Sequence, residues 1–105
     1  VARRARQMNV EERFLADLAA AIIRAGGTRM FTPEKAAGLA ARVLQRMREI
    51  GPFAYPSLMD EEELRFVYQW DEQPPVLVIM YWNDVMWQDM ERVVVPPEID
   101  QEINR

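Results

Sequence analysis

The chain has 105 residues and a net charge of −4, half of its residues hydrophobic and 29% charged. That length holds one hydrophobic core and little more, and the composition excludes a fully disordered chain. With neither histidine nor cysteine present, disulfides, the commonest zinc sites and Ser–His or Cys–His nucleophilic pairs are excluded too.

Residues 1–8 read as a basic arm carrying Arg3, Arg4 and Arg6. No apolar stretch follows, as it would in a secretory leader. No run approaches the roughly 20 apolar residues that span a membrane. A cytoplasmic protein without membrane contact is expected. From residue 9 to 95 the pattern is that of a single domain. Asn9 with Glu12 gives a capping-box signal. Phe14, Leu15, Leu18 and Ile22 then recur at helical spacing, and Gly26-Gly27 closes the helix. Thr32 and Pro33 open a second helix with the apolar stripe Ala36, Leu39, Ala40, Val43, Leu44 and Met47, stopped at Gly51-Pro52. The two are expected to run antiparallel.

Phe53 to Met59, with Pro56 inside it, reads as an irregular connection. Leu64, Phe66, Tyr68 and Trp70 alternate with Arg65, Val67 and Gln69, the period of a half-buried strand. Asp71 to Pro75 form a loop, and Val76 to Trp82 a second strand, paired with the first as an antiparallel hairpin. This second strand is apolar on both faces and needs cover. A short strand at Thr28 to Phe31 or at Val93 to Val95, or a second chain, can supply it. Asn83 or Asp84 then caps a third helix with Met86, Met90 and Val93 on one side, unless Val93 to Val95 finish as an extended piece. Residues 96–105 read as a polar tail, either a short helix or unstructured. The expected fold is α+β in the order α-α-β-β-α: an antiparallel helical pair packed on a small hairpin-based sheet, with a C-terminal helix.

Charge is divided along the chain. Residues 1–50 hold ten Arg/Lys and five Asp/Glu, whereas residues 51–105 hold three and twelve. Such a division marks two partners, or two surfaces that attract each other within the fold or a dimer. The first functional reading is a non-enzymatic protein-interaction, accessory or inhibitory module that uses the acidic, aromatic second half. Its partner is another protein, a second copy, or both. Its contact residues are Trp87, Trp82, Tyr81, Met80 and Val78. Trp87 falls off the Met86–Met90–Val93 stripe and is expected to be exposed, and exposed tryptophan is enriched at binding hot spots.

The alternative is a DNA-associated regulator, helix-turn-helix-like or antitoxin-like, acting through Arg3, Arg4, Arg6, Arg42 and Arg46. A sequence pI near 4.8 opposes it, since phosphate would be repelled by the second half. Third comes a carboxylate-based or magnesium-dependent enzyme built on Asp60 to Glu63, Asp84, Asp89 and Glu91. The four glycines form no phosphate-cradling loop. No catalytic residue, cofactor or metal ligand is assigned.

Overall fold

In a computed structural model describing residues 8–27 and 29–104, the first helix begins where the sequence supplies its own cap. The Asn9 side chain accepts the Glu12 backbone N–H at 2.8 Å, and the Glu12 carboxylate accepts the Asn9 N–H. This reciprocal pairing opens α1, Val10–Gly26. Gly27 ends it at φ +81°, its N–H bonding back to the Ile23 carbonyl. The Thr32 hydroxyl caps α2, Pro33–Ile50, by accepting the Lys35 N–H at 3.1 Å. Basic Arg3, Arg4 and Arg6 lie outside the described residues, as does Thr28; residues 29 and 30 form a turn rather than a strand.

The hairpin grows into an antiparallel sheet of four strands in the order β1-β2-β3-β4. These are β1 (Met59–Glu61), β2 (Leu64–Gln69), β3 (Val76–Trp82) and β4 (Trp87–Val94). The helical pair lies on one face of it. Leu64, Phe66, Tyr68, Leu77, Ile79 and Val93 from the sheet share one buried cluster with Phe14, Leu18, Ile22, Leu39, Val43 and Met47 from the helices. Each large side chain removed from water here contributes roughly 1.5–3 kcal/mol, which is what holds helices and sheet together. The fold is α+β, with the expected helical pair, hairpin-based sheet and C-terminal helix.

That last helix is displaced from its expected place. The segment from Asn83 to Val93, read as helical, turns back and forms β4 along β3. Met86, Met90 and Val93 imitate a helical stripe because β4 contains a bulge. Ile79 faces Glu91 and Met80 faces Asp89, so Met90 is an extra residue without a partner across the strand. The bulge breaks the two-residue alternation and leaves Met90 and Val93 three apart, while Met86 lies in the turn before the strand. The edge of β3 is therefore closed from within the chain, by β4, which includes Val93 and Val94.

The helix itself, α3 (Pro97–Ile103), occupies the segment read as a polar tail. Ile99 is buried, and Ile103 packs against the core. A polar clasp secures it to β2. The Tyr68 hydroxyl donates to the Asp100 carboxylate, and Asn104 Nδ2 donates to the Tyr68 oxygen at 2.9 Å. Burial first, and then the Asp100 carboxylate, push the Tyr68 phenol well above its ordinary value of 10.0.

This arrangement makes stability fall in alkali. Above about pH 10 the unfolded chain releases the Tyr68 proton while the folded chain keeps it, so deprotonation favours the unfolded state. Tyr68→Phe should cost about 1–2 kcal/mol at neutral pH by loosening α3. It should also flatten the loss of stability between about pH 9.5 and 11. Urea midpoints of both proteins across that range test this, and parallel pH profiles would contradict it.

Candidate functional site

Alternation along the strands divides the sheet into two faces, and the helices cover one of them. The other carries Arg65 and Val67 on β2, Val78, Met80 and Trp82 on β3, and Trp87, Asp89 and Arg92 on β4, all placed by the strand register. Among the described residues no helix lies over this face. Val78 is only 1% exposed yet stands outside the main core cluster. Its partners across the strands are Val67 and Arg92. Met90 and Val94 of β4, and Val85 and Met86 of the β3–β4 turn, are exposed, Val85 to 80%.

At one end of this face the two tryptophans meet. Trp82 and Trp87 stand opposite each other across β3 and β4, with ring centroids 5.4 Å apart and planes at 57°. The turn between them is fixed by Asn83, whose side-chain oxygen accepts the N–H groups of Val85 and Met86 at 3.0 and 2.9 Å. The Arg65 guanidinium lies over the Trp87 ring, 4.4 Å from its centroid. Asp60 holds that guanidinium with two bonds, at 2.8 and 2.9 Å. The same contact keeps the Asp60 carboxyl below its usual range. Glu62, Trp82 and Trp87 together line a shallow cleft.

Two acidic residues frame this end in conformations that side chains seldom adopt. Glu62, in the β1–β2 turn, has φ +55°, and Asp84, in the β3–β4 turn, has φ +72°. Among the described residues they are the only non-glycine positions with positive φ. Glycine or asparagine relieves that strain. The Trp82 N–H donates to the Glu63 carbonyl at 2.8 Å, tying the two turns together.

Four of the five expected contact residues, Val78, Met80, Trp82 and Trp87, therefore share the open face. Tyr81 does not. The strand alternation turns it to the helix side, where it packs against the core, and the Glu63 carboxylate raises the pKa of its phenol. Trp87 lies on a strand rather than the expected helix and is half-buried rather than exposed, packed against Trp82 and Arg65. Phe53 and Tyr55, in the connection before β1, are 90% and 93% exposed. The sequence reading passed over both and took Phe53 to Met59 as irregular, whereas Gly51–Phe53 form a short 3-10 turn with Pro52 in its first positions and Met59 already begins β1.

Part of the charge division is met inside the fold. Among the described residues four ion pairs join cations of the first half to anions of the second: Arg24–Glu91 at 2.7 Å, Lys35–Glu62 at 2.8 Å, Arg42–Glu61 at 3.0 Å and Arg48–Glu102 at 2.8 Å. Arg46 donates to the Leu58 carbonyl at 3.4 Å. All are at least partly exposed and contribute little stability singly, but together they set which charges remain available. Asp60, Glu61 and Glu62 each answer a different cation, so these neighbouring carboxylates diverge. Among the described residues no three acidic side chains gather as a metal site, and no helix is long and apolar enough to cross a membrane.

Comparison with known proteins finds no family model, no curated protein and no solved structure that matches this chain.

Proposed function

We propose that the protein is a non-enzymatic interaction module that binds another cytoplasmic protein through the open face of its sheet, around Trp82 and Trp87. One observation carries this reading. The chain places two half-buried tryptophans and Met80 on a sheet face that its own helices leave uncovered, with exposed Met90 and Val94 on the adjoining strand and Val78 itself buried. A monomeric protein rarely leaves a contiguous apolar patch in water without a use for it, and aromatic anchors dominate binding energies where they occur. The acid-rich turns at the rim add orientation and discrimination among partners.

The DNA-associated alternative draws less support. Of its five arginines, Arg42 is paired with Glu61 and Arg46 is turned to a backbone carbonyl, while Arg3, Arg4 and Arg6 lie outside the described residues. For a carboxylate enzyme, Asp60, Glu61 and Glu62 point to separate cations instead of converging on a substrate.

Comparing the wild type with the double variant Trp82→Ala/Trp87→Ala tests the reading. Neither ring belongs to the main core cluster, so circular dichroism should report an intact fold. Capture from cytosol of cells that make the protein, followed by mass determination, should show a partner retained by the wild type. Retention should fall at least about tenfold in the double variant, as loss of hot-spot side chains implies. Identical retention by the two proteins would remove the open face as the contact surface, and so would a wild type that retains nothing.

A further inference from the structure

We infer that the cleft between Trp82 and Trp87 receives a cationic side chain, an arginine or lysine of the bound partner. This rests on the interaction reading above and names the partner's chemistry. The first support is the pair of rings. Standing at 57° with centroids 5.4 Å apart, they touch and form a corner rather than a stack, and with Glu62 they line the cleft in which an incoming group would lie against them. Indole faces attract cations more than neutral groups. The second support is already present within the chain, where Arg65 lies 4.4 Å over Trp87 and demonstrates that this ring accepts a guanidinium.

The third support is charge. Glu62 lines the cleft beside both rings. Glu63 and Asp84 belong to the two turns at this end of the sheet: the Glu63 carbonyl accepts the Trp82 N–H, and Asp84 stands in the turn between the two tryptophans. The local cations Arg65 and Lys35 are engaged by Asp60 and Glu62, so this end of the sheet keeps unbalanced negative charge. Complementarity therefore favours an incoming cation over an anion or a purely apolar group.

Two short peptides supply the test on the full chain: acetyl-Leu-Arg-Leu-amide, and the same peptide with neutral citrulline replacing arginine. The indole N–H signals of Trp82 and Trp87 are followed by NMR, with Trp70, which does not line the cleft, as internal reference. The arginine peptide should shift both cleft signals saturably. The citrulline peptide should bind about threefold to thirtyfold more weakly, the range a cation–π contact spans. Glu62→Gln should weaken the arginine peptide, whereas Lys35→Gln should strengthen it by freeing the Glu62 carboxylate.

Equal binding of the two peptides would overturn the inference while leaving the interaction reading intact, because the capture comparison decides that separately. Absence of any shift at the two indoles would also overturn it. Shifts of those signals with protein concentration, without peptide, would assign the cleft to a second copy and overturn it as well.

Discussion

Truncating Phe66 to alanine should cost about 3–5 kcal/mol, enough to leave a domain of about 5–15 kcal/mol total stability near its limit. Phe66 is fully buried in β2. Met59 of β1 and Ile79 of β3 flank it across the strands, and the helices close over it within the same core cluster. Collapse around the missing ring is resisted because ladders on both sides hold the β2 backbone in place. The cost should therefore sit at the upper end of the aromatic-to-alanine range. Val67 is the next residue along the strand but faces the opposite way, so Val67→Ala should cost about 1 kcal/mol or less. Urea midpoints for the two variants decide the matter. Similar costs for both would mean that the open face is sealed by a second copy, and the docking surface would then not be free.

How much of this was legible beforehand follows from the kind of signal each element sends. Helix signals are local and survived intact. Asn9 with Glu12 and Thr32 with Pro33 cap α1 and α2 where their residue types imply, because capping uses neighbours within a single turn. β2 was equally legible, its alternation undisturbed from Leu64 to Gln69. β4 was not, since a single bulge at Met90 turns a two-residue period into an apparent helical one. A bulge is defined by its partner strand, and no window of the sequence alone contains that information. α3 was obscured for a related reason. Its seven residues bury chiefly Ile99 and Ile103, too few to show a stripe, and its docking depends on Tyr68, some thirty positions earlier.

For the candidate site, residue types were legible but facing was not. Val78, Met80, Trp82 and Trp87 share a surface because β3 and β4 pair with Trp82 opposite Trp87. Tyr81 drops out for the same reason, since one step along a strand reverses the face. The charge division was visible in the sequence, and one of its two readings, mutual attraction within the fold, describes the pairs Arg24–Glu91 and Arg42–Glu61. Which cations remained for a partner needed three-dimensional distances.

Glycine substitutions at two positions should move stability in opposite directions. Gly51→Ala should destabilise by about 2–4 kcal/mol, while Gly38→Ala should stabilise by about 0.5–1 kcal/mol. Gly51 stops α2 at φ +48° and ψ −131°, a region closed to residues with a Cβ. An added Cβ there would also stand 2.8 Å from Ile103 Cγ2, so the backbone strain falls where α3 docks. Gly38 is exposed within α2, and an added Cβ would meet nothing within 4 Å. Alanine there reduces the freedom of the unfolded chain and disturbs no contact. Thermal unfolding of both variants should therefore bracket the wild type. Hydrogen exchange in Gly51→Ala should additionally show α3 opening before the sheet. A Gly51→Ala protein as stable as the wild type would mean that the α2 terminus and α3 rearrange together at little cost. The Tyr68 clasp would then not be what fixes the end of the chain.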